Sequence, residues 1–189
     1  LTNLSQNIPV SIWYDWHDDG RDPHEPEHHF GTVENQEHPG RLPVYDPKPA
    51  YLAAKTLTTT LAGYRFVKRI ATGDHTAYLL LFQKGDRQRL AVWTTGGEST
   101  TVAIPSRDSR FQHVSHTGET LSLVTASGGS LEVTATDAPR YLIAAKPGPV
   151  PADAPAAQAL HATLAAGPGP SVEVQIDNLE NAPFHGTVR

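Results

Sequence analysis

Between residues 63 and 145, the apolar residues form short runs that turn residues interrupt about every ten positions. The interruptions include Gly73-Asp74 and Gly128-Gly129. Apolar and polar residues alternate in three of the runs, which predicts strands with one buried face: Val102/Ile104, Leu121/Leu123 and Leu131/Val133. Regularly spaced short strands are typical of antiparallel folds. We therefore predict an antiparallel β-sandwich over residues 63–145.

Residues 1–62 follow a different pattern. Residues 8–16 are rich in β-branched and aromatic side chains and predict a buried strand. Residues 17–47 are polar and contain several glycines and prolines, which predicts a long loop. A helix should then begin near Pro49, which suits the first helical turn, and end at Gly63. Its apolar positions fall on one face at helical spacing: Ala50, Ala54, Leu57 and Leu61.

The C-terminal part of the chain divides into two segments. Residues 146–170 are rich in proline, alanine and glycine, which predicts a linker that includes a short helix over residues 156–166. Residues 171–189 begin with an alternation at Val172, Val174 and Ile176 and predict the truncated start of a further β-domain. Because the chain starts at Leu1 and stops in a strand-like segment, we expect it to be a piece of a larger protein.

Composition and charge narrow the classes of function. The net charge of −5 comes without a basic cluster, which argues against a nucleic-acid partner because phosphate binding needs clustered lysines and arginines. No apolar run approaches the roughly 20 residues that span a bilayer, so we expect no membrane partner. The chain has no cysteine, which excludes disulfides and thiolate metal sites.

The residues with the clearest chemical meaning lie at and just after the end of the predicted N-terminal strand. They are Trp13, Tyr14, Asp15, Trp16 and Asp18. Flat aromatic rings pack against the C–H groups of sugars, and carboxylates accept hydrogen bonds from sugar hydroxyls. These five residues are therefore the predicted substrate-binding set.

The order of motifs in this region resembles the eighth strand, loop and helix of clan A glycoside hydrolases, in particular families 5 and 39. The matching features are the strand end at Trp13, the pair Phe30-Gly31, and the helix start from Lys48 to Tyr51. The resemblance implies an α+β, mainly β fold: the last β/α unit of a TIM barrel over residues 1–62, followed by the β-sandwich. It also implies that the parent cleaves O-glycosidic bonds in poly- or oligosaccharides, with Trp13 flooring the subsite where the bond breaks.

The same resemblance places the catalytic machinery outside this chain. Retaining enzymes of the clan use two glutamates about 5 Å apart, after strands four and seven. The glutamates of the predicted loop match neither position: Glu25, Glu27, Glu34 and Glu37. We therefore expect no catalytic residue, no cofactor and no activity in the isolated chain. Its expected partners are a carbohydrate and the rest of the barrel, and an unpaired strand edge favours self-association. An extracellular or periplasmic parent is expected.

Several residues carry more than one interpretation. Trp13 and Trp16 should face opposite sides of a strand, one as a sugar platform and the other in the core. Asp15 and Asp18 either bind sugar hydroxyls or hold the loop backbone through Asx turns. The histidines and aspartates of the loop raise zinc, nickel or calcium binding as an alternative, but without helical or EF-hand spacing. Trp93 lies in an apolar run that favours the core.

Two alternative functions have no catalytic component. The chain could be a carbohydrate-binding or adhesive β-sandwich module, which requires rows of exposed aromatic residues. It could also be a structural domain between modules, which fits the proline-rich segment 146–170. A serine hydrolase has no support, because the sequence contains no Gly-x-Ser-x-Gly motif.

Overall fold

The computed structural model describes residues 1–97, 99–106 and 110–146, and the backbone of two further strands between residues 160 and 178. The helical elements are α1 (Thr2–Ser5), a 3-10 helix (Pro26–His29) and α2 (Pro49–Thr60). The strands are β1 (Val33–Glu37), β2 (Tyr45–Pro47), β3 (Arg65–Arg69), β4 (Ala77–Lys84), β5 (Arg87–Thr94), β6 (Thr100–Pro105), β7 (Arg110–Val114), β8 (Thr120–Thr125), β9 (Ser130–Ala135), β10 (Arg140–Ala144), β11 (Leu160–Ala166) and β12 (Val172–Asn178). The predicted α+β, mainly β class is confirmed.

The centre of the molecule is a six-stranded antiparallel sheet with the order β3-β4-β5-β10-β7-β8. Strands β6 and β9 form a two-stranded sheet that packs on one face of it. The core between the two sheets includes Leu79, Leu81 and Leu90 from the large sheet and Ile104 and Leu131 from the small one, all fully buried. Each such side chain contributes roughly 1.5–3 kcal/mol through removal from water.

Helix α2 covers the opposite face of the six-stranded sheet. Leu57 and Leu61 from the end of the helix pack with Leu80, Phe82 and Tyr141 of the sheet. Strand β4 is therefore buried on both faces, which explains why its apolar run does not alternate. The predicted helix is confirmed: it has a proline at its first position, and Gly63 just beyond its end adopts a positive φ of 73°.

The predicted N-terminal strand does not form in this chain. Residues 8–16 belong to no strand, and the side chains of Val10, Ile12, Trp13 and Tyr14 are 65%, 91%, 68% and 66% exposed. The physical reason is that no described strand pairs with residues 8–14. Asp15 and Trp16, at the end of the segment, exchange backbone hydrogen bonds with Phe30, Thr32 and Val33. A strand-forming sequence becomes a strand only when it has a partner.

Three other predictions need correction. The predicted loop over residues 17–47 contains the 3-10 helix and the β1–β2 hairpin. In strand β8, the predicted buried face at Leu121 and Leu123 lies outward, because these side chains are 44% and 72% exposed, whereas Val124 packs on the core. The pairing of β8 with β7 determines which face of the strand is buried.

Residues 160–166 are strand β11, paired with β12, rather than part of a linker with a helix. The alternation at Val172, Val174 and Ile176 does lie in a strand, β12. Residues 147–159 and 167–170 of the predicted linker, and residues 171 and 179–189 of the predicted further β-domain, lie outside the described residues.

Candidate functional site

The loop after the N-terminal segment is held by the carboxylate of Asp18, which is only 3% exposed. One oxygen, Oδ1, accepts a hydrogen bond from Lys48 Nζ at 2.7 Å and another from the backbone N–H of Gly31 at 2.9 Å. Lys48 Nζ also donates to the carbonyl oxygen of His29 at 2.8 Å. This ion pair joins the loop to the N-terminus of α2, so the structure gives Asp18 the role of holding the loop rather than a position facing solvent.

Residues 15–18 and 30–33 run side by side next to this ion pair and exchange backbone hydrogen bonds. The N–H of Asp15 donates to the carbonyl of Phe30 at 3.1 Å, and the N–H of Thr32 donates to the carbonyl of Asp15 at 3.1 Å. A Cβ atom on Gly31 would collide with the backbone of His17 and Asp18, so this close approach needs glycine. Backbone hydrogen bonds and the Asp18–Lys48 ion pair therefore hold the conformation of the loop.

Tyr14 lies on the outside of this loop, next to a carboxylate and a second ring. Its hydroxyl donates to Asp19 Oδ2 at 3.4 Å, and its ring meets the Phe30 ring edge-on with centroids 6.4 Å apart. The negative charge of Asp19, and then that of Asp15, raises the pKa of Tyr14. Because Tyr14, Asp19 and Phe30 are all exposed, they form an accessible aromatic and acidic surface, here called the Tyr14 patch.

Trp13 is directed elsewhere. It lines a cavity of about 520 Å³ between α2 and the six-stranded sheet, and its Nε1 donates to the carbonyl of Phe30 at 3.1 Å. This helix–sheet cavity is lined by Leu1, Thr2, Trp13, Thr32, Ala50, Ala53, Ala54, Leu57, Trp93, His116, Asp137, Pro139 and Tyr141. Tyr14 does not line it, so the two neighbouring residues serve different surfaces.

Trp16 occupies a third environment. Its ring meets Tyr51 of α2 edge-on, with centroids 6.3 Å apart, beside a smaller apolar hollow that the β1–β2 hairpin also lines. Asp15, the remaining predicted residue, accepts a hydrogen bond from the backbone N–H of Trp16 and is half-buried. The structure therefore does not bring the five predicted residues together on one surface.

Polar residues of the hairpin form an ion-pair cluster without catalytic geometry. Asp46 accepts hydrogen bonds from His38 Nε2 at 2.9 Å and from Arg41 Nη2, and these bonds lower the pKa of its carboxyl group. Within the described part of the chain, no three histidine, aspartate or glutamate side chains converge as a metal ion would require. The four glutamates of the loop are exposed.

The predicted substrate-binding set omitted Asp19 and Phe30. Asp19 is adjacent to Asp18, and the sequence gave no signal for which of the two carboxylates reaches solvent. Phe30 was identified only as part of the Phe30-Gly31 pair. Among the aromatic residues of the sheets, Trp93 is 8% exposed, as predicted for a core residue, and Phe82, Phe111 and Tyr141 are also buried. Those rings offer no exposed row to a binding module.

None of the described helices is long and apolar enough to cross a membrane. No protein-family model matches the sequence, and neither does any curated protein.

Comparison with solved structures finds a family 39 glycoside hydrolase from the gut symbiont Bacteroides cellulosilyticus WH2. The alignment has a TM-score of 0.56 and 26% sequence identity, and it covers 70% of this chain and 25% of that enzyme. The chain thus spans about a quarter of the length of the enzyme that it matches.

Two further structures align more weakly. A GH30 endoxylanase from Clostridium papyrosolvens C71 has a TM-score of 0.44 at 11% identity, covering 52% of this chain and 28% of that one. AmyP in complex with maltotriose has a TM-score of 0.35 at 20% identity, covering 44% and 17%. These two alignments are too weak to bear on the fold or the function. The family 39 alignment indicates that this chain has a glycoside hydrolase-like fold, at low sequence identity.

Proposed function

We propose that this chain is the C-terminal part of a (β/α)8-barrel glycoside hydrolase: strand eight, loop eight and helix eight of the barrel, followed by a β-sandwich. The observation that carries the proposal is the alignment with the family 39 enzyme, at 26% identity over 70% of this chain. Under this proposal residues 8–13 are strand eight and α2 is helix eight.

The exposed N-terminal segment supports this assignment. Residues 8–13 are rich in β-branched and apolar side chains, yet no described strand pairs with them and Ile12 is 91% exposed. Strands of a parallel barrel are buried on both faces and read as continuous apolar runs. The unpaired backbone and the uncovered side chains are those that neighbouring barrel strands would satisfy.

We assign the sugar platform to Tyr14 rather than to Trp13, which the sequence favoured. In a (β/α)8 barrel, helices cover the outside of the strands and substrates bind at the C-terminal mouth. Trp13 lines a cavity together with α2, so it faces the helix layer. Tyr14 lies on a different surface with Asp19 and Phe30, where a ring and a carboxylate can contact one sugar.

The chemistry of bond cleavage would come from elsewhere in the parent. We propose a retaining mechanism with an acid/base and a nucleophile, both glutamates outside this chain. The loop glutamates here are exposed, and Glu25 only caps the 3-10 helix, its side chain accepting from the N–H of Glu27 at 3.4 Å. The substrate would be a poly- or oligosaccharide, met outside the cytoplasm.

The test is hydrolysis by the full-length parent, assayed on aryl glycosides and polysaccharides. We expect Tyr14→Ala to lower kcat/KM about tenfold or more, because each 1.4 kcal/mol of lost contact in the transition state is a factor of about ten. Leu42→Ala, a change of a 92% exposed residue in the same region, is the matched control and should leave kcat/KM unchanged.

Two results would count against the proposal. If the parent hydrolyses no glycoside, the enzymatic assignment fails. If it hydrolyses glycosides but Trp13→Ala lowers kcat/KM far more than Tyr14→Ala, with both variants folded, the assignment of the platform to Tyr14 is wrong and the sequence-based choice of Trp13 is restored.

A further inference from the structure

The two edges of the six-stranded sheet differ in charge. Strand β3 forms one edge, and three of its five residues are cationic: Arg65, Lys68 and Arg69. Strand β8 forms the other edge and contains no charged residue and no proline. Charges on an edge strand oppose pairing with a further strand, whereas an uncharged edge can accept one. The β3 edge is therefore protected against further pairing, and the β8 edge is not.

Strand β8 is also accessible. Five of its six residues are exposed, and the exception is Val124, which packs on the core. In the part of the chain that the structure describes, no strand pairs with the outer side of β8, and no loop residue exchanges a backbone hydrogen bond with it. Its outward N–H and C=O groups are therefore available to a further strand.

The sequence of β8 suits pairing with an identical strand. Two identical edges can pair antiparallel about a two-fold axis perpendicular to the sheet, so that each face of one sheet continues into the same face of the other. Residues 122–125 pair with β7 in regular register, and an axis at Leu123 lies within this part. Leu123 then lies opposite Leu123 of the second copy, and Ser122 lies opposite Val124. No like charges meet across this ladder.

The same pairing at the β3 edge would be unfavourable. An axis at Val67, in the middle of β3, would place Arg65 opposite Arg69 of the second copy. Like charges directly opposite each other destabilise a strand pair. The charge pattern therefore selects β8 as the edge at which two copies can meet.

We propose that the β8 edge pairs with the β8 edge of a second copy of this chain, which gives a two-fold symmetric, reversible dimer with one continuous sheet. Main-chain hydrogen bonds hold the two edges together. Leu123, which is 72% exposed in the single chain, is covered by its counterpart and so removed from water. This pairing uses neither residues 8–13 nor the Tyr14 patch, so it is independent of the proposed function.

The first test uses the absence of cysteine from the chain. Leu123→Cys places a single thiol at the two-fold axis. Opposed residues of an antiparallel pair have Cα atoms about 4.5–5.5 Å apart, within the range of about 4.4–6.8 Å that a disulfide needs. With oxidised glutathione we expect Leu123→Cys to form a covalent dimer. The matched control is Val67→Cys on the β3 edge, which is 45% exposed and should remain mainly monomeric.

The second test measures the reversible dimer by light scattering over a concentration series. The mean mass of the unchanged chain should rise from monomer towards dimer as the concentration increases. Leu123→Lys should raise the dissociation constant about tenfold or more, because it removes the apolar contact and places two like charges opposite each other. Val67→Lys should leave the dissociation constant unchanged.

Three outcomes would overturn the inference. The first is a chain that stays monomeric at every concentration, and the second is equal cross-linking of Leu123→Cys and Val67→Cys. The third is a dimer that survives Leu123→Lys but is lost in Ile12→Lys. The contact would then lie at the unpaired residues 8–13, which supports the proposed function and refutes pairing at β8. Urea unfolding midpoints of each variant establish that it is folded.

Discussion

The buried ion pair between Asp18 and Lys48 should control the stability of the loop. The change that tests this is Asp18→Ala, which removes the acceptor of two hydrogen bonds, from Lys48 Nζ at 2.7 Å and from Gly31 N at 2.9 Å. It leaves an ammonium group that is 20% exposed with only the carbonyl of His29 as a partner, at 2.8 Å. The loop then loses its main connection to α2.

The size of the effect follows from the burial of the two partners. Breaking a buried ion pair by removing one partner costs about 3–5 kcal/mol. Because Lys48 keeps one carbonyl and some contact with water, we expect the lower end, about 3 kcal/mol. Since 1.4 kcal/mol is a factor of about ten in an equilibrium constant, local opening of the loop should become roughly a hundred times more frequent.

Native-state hydrogen exchange measures this opening directly. The amide of Thr32, which donates to the carbonyl of Asp15, should exchange roughly a hundred times faster in Asp18→Ala, while the amides of strand β4 keep their protection. Asp19→Ala is the matched control, because Asp19 is exposed and should change exchange little. Equal effects of the two substitutions, or no effect of Asp18→Ala, would refute the reasoning.

Three further predictions concern stability. Ile104→Ala should lower the free energy of unfolding by about 2–5 kcal/mol, because Ile104 is fully buried. Leu123→Ala should change it by less than about 0.5 kcal/mol, because Leu123 is exposed. Urea unfolding measures both values, and similar losses for the two variants would contradict the described core. Burial, and secondly the charge of Arg140, lowers the pKa of His113 below its ordinary value of 6.5, so the unfolded chain binds a proton more readily than the folded one. The free energy of unfolding should therefore fall as the pH drops from about 6.5 to the lowered pKa of His113 in the folded chain. Urea unfolding midpoints measured across this pH range should show a slope that His113→Gln reduces. An unchanged slope in His113→Gln would exclude a contribution of His113 to the pH dependence. Gly31→Ala should destabilise the fold by about 1–3 kcal/mol and so lower the melting temperature, because the added Cβ collides with the backbone of His17 and Asp18. An unchanged melting curve would contradict this prediction.

The arrangement of the surfaces has a functional consequence. The described aromatic residues that reach solvent most are concentrated in the N-terminal segment and its loop, while most rings of the two packed sheets are buried. Under the proposed function, contact with carbohydrate is therefore expected from the N-terminal part of the chain. The small sheet and the core between the sheets serve stability.

The sequence by itself determined the elements whose signals are local. Helix α2 follows from Pro49 at its start, from apolar residues at helical spacing and from Gly63 beyond its end, and none of these depends on distant residues. The strands between residues 64 and 145 follow from short apolar runs between turn residues, and the burial of Trp93 follows from its apolar neighbours. Local backbone preference and turn chemistry are sufficient for such elements.

Only the tertiary structure decided which residues face which surface. Trp13 and Tyr14 are adjacent, and the packing of α2 on one side of the segment directs Trp13 into the cavity and leaves Tyr14 outside. Likewise, Lys48 arrives from 30 positions away and makes Asp18 a buried anchor, while Asp19 stays exposed. In β8, the register with β7 turned Leu123 outward. A sequence pattern fixes the period of side chains, but the side that is buried depends on which distant element packs against it.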